Sequence, residues 1–243
     1  MAQVHSEWIK FRSVRSTVVL AIISVFICVG VAVIAGSNTV GPISASNVLL
    51  GVQISSLFIM VLGVQIIGQE YRFSTIRSTF SATPRRERVI IAKLVVVIAA
   101  AAVAAVTLIA LSLGAGALAS SIQGNTLDLG LPGTTRVLLG TVVVLVINGI
   151  FGFGVGCIVR QPIAGIVIVL VWANVIENVL AGLVEGAARW LPLFSMANVN
   201  AQSMSNDFGI GNLMSPVIGG LYGASIALAL VAIGIFRIRS TDA

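Results

Sequence analysis

Charged residues, histidine and cysteine are all scarce in this chain. Of its 243 residues, 9% are charged, against about 25% in an average soluble domain. His5 is the one histidine and lies outside every apolar run, so Ser–His and metal-based hydrolase sites within a membrane have no base or ligand set. Cys28 and Cys157 both lie within apolar runs, which argues against a disulfide framework and a zinc site. We therefore expect no enzymatic activity, no metal and no cofactor.

A phosphate-binding loop is missing as well. The two lysines, Lys10 and Lys93, follow Ile9 and Ala92 instead of the glycine that a P-loop requires. The chain itself is therefore not expected to bind ATP in that manner. Charges inside the apolar runs are also rare, whereas an ion-coupled carrier normally has several.

Apolar residues make up 58% of the sequence and fall into six runs near the ~20 residues needed to cross the hydrocarbon. Lipid offers no partners to open backbone groups, so each run is predicted to be a helix. We expect an all-α integral membrane protein with a single domain over residues 1–243. The fourth and fifth runs are linked only by residues 160–162, which predicts a tight hairpin. Gly152 and Gly156 in the fourth run are four residues apart, which predicts close helix packing. The predicted spans are residues 17–35, 48–68, 94–118, 137–159, 163–183 and 217–236.

Basic residues are distributed unevenly about these spans. In the six-span arrangement twelve of the fourteen lie on one side, with Arg136 and Arg189 on the other. The positive-inside rule makes the richer side cytoplasmic, with both termini there. The net charge of +6 is explained by orientation and anionic lipid headgroups, so no nucleic-acid partner is expected. The twelve are Lys10, Arg12, Arg15, Arg72, Arg77, Arg85, Arg86, Arg88, Lys93, Arg160, Arg237 and Arg239.

Residues 1–15 are predicted to form an amphipathic helix in the cytoplasmic interface. Trp8 and Phe11 share one face with Val4, while Lys10 lies opposite and Arg12 adds charge. The alternative is an ordinary positive flank that only orients the first span.

The cytoplasmic loop at residues 68–93 carries eight of the chain's charges, six of them basic. Ser74 can cap a short helix in which Ile76 and Phe80, four residues apart, share a face. Thr83 and Pro84 then give a cap and a proline at the first position of the next helix. The loop is therefore predicted to contain a helix of its own.

This loop resembles that of the type-2 family of ATP-binding-cassette (ABC) permeases. The resemblance lies in Glu70 followed by Ser74-Thr75-Ile76, then in Thr83-Pro84-Arg85-Arg86 and Ala92-Lys93, with Ser74 where the family commonly has glycine. It implies a coupling helix that docks on a separate ATPase, two ATPase subunits, and a second copy of this chain or a related permease. The coupling residues it implies are Glu70, Arg72, Thr75, Ile76, Arg77 and Phe80.

Polar residues in the second and fifth spans are candidates for a transport pathway, because in related permeases these spans line it at the dimer interface. Ordinary hydrogen bonding between helices is the alternative for the neutral ones. The segment at residues 184–215 mixes aromatic residues with asparagines and is predicted to form re-entrant or capping helices. The candidate pathway residues are Gln53, Ser56, Asn174, Glu177 and Asn178.

Glu177 is the one carboxylate well inside an apolar run. It lies about 15 residues beyond Pro162, or roughly 22 Å at ~1.5 Å per residue, and a charge there requires a partner or protonation. We expect it to face the bundle interior or a dimer pathway and to share its face with Asn174. The alternative is a carboxylate held by a neighbour such as Arg189, without contact to cargo.

The resemblance, together with the six predicted spans, thus implies the permease subunit of an ABC transporter in the plasma membrane, exporting an apolar or amphipathic cargo. Two alternatives stay open: an ion-coupled carrier or channel that works alone, and a membrane anchor that recruits a cytosolic partner. An ATPase that copurifies with the chain would favour the first function over both.

The predicted topology can be tested with single cysteines in a background that lacks Cys28 and Cys157. Cysteines at Ser44 and Ser205 should react with an impermeant maleimide from outside the cell, and one at Ser81 should not. Labelling at Ser81 from outside would reject the predicted orientation and the coupling loop together.

Overall fold

Six long apolar helices form the architecture seen in the computed structural model, which describes residues 6–8, 14–38, 41–73, 86–201 and 214–241. Within these residues, all six helices are long and apolar enough to cross a membrane. The chain is therefore a multi-pass, all-α membrane protein, and the six predicted spans are confirmed as helices. The helices are α1 Arg15–Asn38, α2 Leu50–Arg72, α3 Arg86–Ile122, α4 Thr134–Val159, α5 Pro162–Leu183 and α6 Pro216–Thr241.

Short elements gather at one end of the bundle, which we call the cap end. Strands β1 Ile43–Ser44 and β2 Leu127–Asp128 pair in parallel there. A single helical turn, Ala45–Val48, follows β1. Two 3-10 helices, Ala187–Trp190 and Phe194–Met196, follow α5 within the segment for which re-entrant or capping helices are predicted. The structure describes that segment as far as residue 201. We call the opposite end, where α1 begins and α2 ends, the basic end.

Helix α4 is the centre of the bundle and packs against α2, α3 and α6. Its contact with α2 depends on glycine, because a Cβ added at Gly152 would overlap the carbonyl oxygen of Met60. A Cβ at Gly156 would lie 2.9 Å from the carbonyl oxygen of Val64. Small residues let helix backbones approach closely in lipid, so the predicted packing role of Gly152 and Gly156 is confirmed.

Helix α1 is tied to α2 and α3 by polar contacts as well as packing. The Ser55 hydroxyl of α2 donates to the carbonyl of Ser24 in α1 over 3.1 Å. The Cys28 thiol of α1 contacts the Leu108 carbonyl and the Ser112 hydroxyl of α3. Such bonds satisfy polar groups that lipid cannot. They fix α1 against α2 and α3 without exposing those groups.

The hairpin between α4 and α5 is confirmed at the predicted residues. Helix α4 ends at Val159, Arg160 adopts φ 58°, and Pro162 takes the first helical position of α5. A proline there loses no intrahelical hydrogen bond, since the first backbone N–H groups of a helix have no partner within it. Pro162 packs against Gly68 of α2, with 2.8 Å between its Cα and an ideal Cβ on that glycine. The turn therefore holds the start of α5 against the end of α2.

Replacing Gly152 by alanine tests the contact between α2 and α4. The new methyl group would force the backbones apart, and overpacking of this kind costs about 1–3 kcal/mol or more. We expect the melting temperature in detergent to fall. Gly114→Ala in α3 is the control, because a Cβ there meets nothing within 4 Å and alanine favours a helix; equal melting of the two variants would contradict the packing role.

Candidate functional site

A buried ionic cluster lies at the basic end. The Lys93 ammonium, near the start of α3, donates to Glu70 Oε1 in the last turn of α2 at 2.7 Å and also to Glu7 Oε2. The Lys93, Glu7 and Glu70 side chains are 3%, 8% and 11% exposed. We call these three residues the Lys93 cluster. It joins both helices that flank residues 74–85 to the helical residues 6–8.

Burial makes this cluster sensitive to the loss of any member. Charges removed from water lose several kcal/mol of solvation, which only close opposite charges and hydrogen bonds offset. The two carboxylates and the ammonium supply that compensation to one another. The cluster therefore fixes the end of α2, the start of α3 and the N-terminal segment in one arrangement.

A second set of contacts extends from the same turn of α2. The Arg160 guanidinium lies 5.7 Å from the centre of the Tyr71 ring, within cation–π range. It donates to the Arg237 carbonyl of α6 at 2.7 Å, while Arg237 donates to the Ile158 carbonyl of α4 at 3.1 Å. Through two adjacent residues, Glu70 and Tyr71, the last turn of α2 thus contacts Lys93 of α3 and Arg160 in the turn after α4.

The predicted coupling residues are only partly within the described structure. Glu70 is held in the Lys93 cluster, while Arg72 is exposed with its guanidinium 5.6 Å from the Phe73 ring centre. In the predicted interfacial helix Trp8 is half-buried. The remaining predicted residues lie outside the described residues: Thr75, Ile76, Arg77 and Phe80 of the loop, and Lys10, Phe11 and Arg12 of the N-terminal helix.

Glu177 is completely buried, and N–H groups surround its carboxylate. Trp172 Nε1 donates to Oε1 at 2.7 Å, the Leu193 amide donates to both oxygens at 3.0 and 3.1 Å, and the Phe194 amide donates to Oε2 at 3.0 Å. These donors carry no charge, and hydrogen bonds to a charged acceptor are worth about 1.5–3 kcal/mol each. The carboxylate therefore joins α5 to the capping segment at residues 184–201.

One expectation about Glu177 is wrong in detail. Asn174 does not share its face, since Asn174 is exposed. The reason is a π-helical turn at Trp172–Ile176, which changes the spacing of residues along the helix and brings Trp172 over Glu177. In the alternative, a neighbour such as Arg189 holds the carboxylate. The loop neighbours that hold it are the Leu193 and Phe194 amides, while the Arg189 guanidinium lies 5.0 Å from the Trp190 ring centre.

The other candidate pathway residues lie on the outer surface of this chain. Gln53, Asn174 and Asn178 are exposed, and Ser56 is half-buried. The Asn174 side-chain amide donates to Leu170, and that of Asn178 donates to Ala173 and Asn174, all through carbonyls of α5. The structure thus separates Glu177, which is interior, from the exposed amides of α2 and α5.

Sequence reasoning missed Glu7, Trp172 and the ionic role of Lys93. Glu70 and Lys93 have opposite charges at adjoining ends of consecutive spans, and that signal could have predicted their contact. For Glu7 the sequence offers only an acidic residue in an otherwise basic segment. Among the described residues, no three His, Cys, Asp or Glu side chains are grouped so that they could hold a metal ion.

No protein-family model, curated protein or solved structure matches this chain.

Replacing Lys93 by methionine tests the Lys93 cluster. The change leaves two carboxylates buried together without a cation, and breaking a buried pair in this way costs about 3–5 kcal/mol. We expect a lower melting temperature in detergent. Adding Glu7→Gln and Glu70→Gln to Lys93→Met should restore most of the lost melting temperature, because no unpaired charge remains. A Lys93→Met variant as stable as the unchanged protein would refute the cluster's structural role.

Proposed function

We propose that this chain is the membrane-spanning permease subunit of an ABC transporter. In this proposal separate ATPase subunits bind the loop between α2 and α3, and two permease subunits form the pathway. The direction proposed is export of an apolar or amphipathic cargo across the plasma membrane. Both termini and the basic end are then cytoplasmic.

The Lys93 cluster is the observation that carries the proposal. A loop that receives force from an ATPase must have ends that move together with the helices they enter. Lys93 and Glu70 tie the two ends to each other, and Glu7 adds the N-terminal segment. Rigid contacts of this kind transmit a displacement instead of absorbing it.

The exposed amides of α2 and α5 support a pathway between two subunits. Exposed polar groups inside the hydrocarbon are unfavourable, so they commonly face another helix or a water-filled path. Gln53, Asn174 and Asn178 are such groups on two helices that pack against each other. A second copy of the chain would remove them from lipid, and the large apolar area around them would suit an apolar cargo.

Purification of the tagged chain from its native membranes in mild detergent tests the proposal. We expect an ABC-type ATPase to copurify in stoichiometric amount with vanadate-sensitive ATP hydrolysis. Ile76→Asp combined with Phe80→Asp should release that ATPase while the membrane subunit stays monodisperse, because the apolar contact is lost. Arg85→Gln with Arg88→Gln is the control on the same loop and should retain the ATPase, since we expect these two guanidinium groups to contact anionic lipid headgroups.

Other outcomes would favour the alternatives. An intact complex and undiminished ATP hydrolysis in the Ile76 and Phe80 variant would reject the coupling assignment. Ion flux in liposomes that contain the chain alone would indicate a carrier or channel. A cytosolic partner without ATPase activity, together with no flux, would indicate a membrane anchor.

A further inference from the structure

Helix α5 changes its packing partners halfway along its length. Its first part, Pro162–Val171, packs against α2 and α4, while its last part, Glu177–Leu183, packs mainly against the 3-10 helix Ala187–Trp190. The π-helical turn Trp172–Ile176 separates the two parts. Turns of this kind interrupt the regular hydrogen-bond pattern and are common points of bending in helices. The turn therefore separates Pro162–Val171, which packs against two long helices, from Glu177–Leu183, which has fewer neighbours. We call Glu177–Leu183 the outer half of α5.

Glu177 is the first residue after this turn, and its contacts cross from α5 to the capping segment. Both amides that it accepts from the segment, those of Leu193 and Phe194, lie at the start of the 3-10 helix Phe194–Met196. Trp172 approaches from the other side of the turn with its indole N–H. The carboxylate thus connects three parts: the first residue of the turn, the outer half of α5 and the capping segment.

The capping segment is itself fixed to the central helices. A Cβ added at Gly219 of α6 would overlap the Ser195 carbonyl oxygen, and the Tyr222 hydroxyl of α6 donates to the Trp190 carbonyl at 3.0 Å. On the α4 side, Arg136 Nε donates to the Ala201 carbonyl at 3.0 Å. The segment is therefore attached to both α4 and α6. The outer half of α5 is held to these helices through Glu177.

We propose that α5 has a hinge at the π-helical turn. The hydrogen bonds of Glu177 to the capping segment hold this hinge in one position. When the carboxylate is bound, the outer half of α5 is held against the bundle; when it is released, that half rotates while Pro162–Val171 stays on α2 and α4. A carboxylate suits this role because all its partners are donors. A glutamine would present its own NH₂ group to at least one of them. This device does not depend on the proposed transport function.

Distance measurements between pairs of spin labels test the hinge, with the protein in nanodiscs and Cys28 and Cys157 replaced. The outer pair is Leu183→Cys with Leu221→Cys, and the inner pair is Ile163→Cys with Phe236→Cys; all four positions are exposed. In the protein with Glu177 intact we expect one narrow distance for each pair. Glu177→Gln should add a second population to the outer pair and leave the inner pair unchanged.

Val179→Ala is the matched control, since that apolar side chain lies two residues beyond Glu177 and is exposed; it should leave both pairs unchanged. An outer pair unaffected by Glu177→Gln, or an inner pair that changes as much as the outer one, would overturn the proposal. If Glu177→Gln does not give monodisperse protein, Trp172→Phe is used in its place. Trp172→Phe removes one donor to the carboxylate and leaves the amides of Leu193 and Phe194 bound to it. The same change, smaller and confined to the outer pair, is then expected, and no change there would overturn the hinge.

Discussion

The contact between the backbones of α2 and α4 is the constraint on which the rest of the bundle depends. Lipid tails are as apolar as the helices, so the hydrophobic effect does not hold spans together, and close backbone packing takes its place. Gly63 of α2 and Gly152 of α4 lie where any side chain would meet the other backbone. Because these two helices are locked in register, α4 becomes central and the other helices pack around the pair.

This register also explains why the polar contacts of the basic end converge on one turn. Helices α2 and α4 run in the same direction, with Met60 beside Gly152 and Val64 beside Gly156, so both end at the basic end. Tyr71 then lies near Arg160 in the turn after α4, and the preceding Glu70 meets Lys93 of α3. In the proposed transporter, a displacement of the loop after α2 would therefore reach α3, α4 and α6 together.

The sequence predicts the parts of this fold that lipid enforces. Span number and length follow from the thickness of the hydrocarbon, the hairpin at residues 160–162 from its short link, and the packing of Gly152 from glycine spacing. The parts that depend on three segments meeting in space could not be predicted. Glu7 finds Lys93 only because α2 and α3 present Glu70 beside it, and two-residue strands are too short to show alternation. The prediction that Asn174 shares a face with Glu177 is wrong because it assumes 3.6 residues per turn, whereas the turn at Trp172–Ile176 is π-helical.

The two buried charge sites differ in the kind of partner they use, and this difference bears on which residues could meet cargo in the proposed transporter. At the basic end a cation compensates the carboxylates, so the loss of one charge alone leaves the others uncompensated. Near the cap end neutral N–H groups surround Glu177 and occupy both carboxylate oxygens. Cargo could therefore reach Glu177 only by displacing the Trp172 indole or the amides of Leu193 and Phe194. A pathway residue must instead be accessible while the bundle is intact. Gln53, Asn174 and Asn178 meet that condition, which assigns the proposed pathway to the outer faces of α2 and α5 and leaves Glu177 to hold α5 in place.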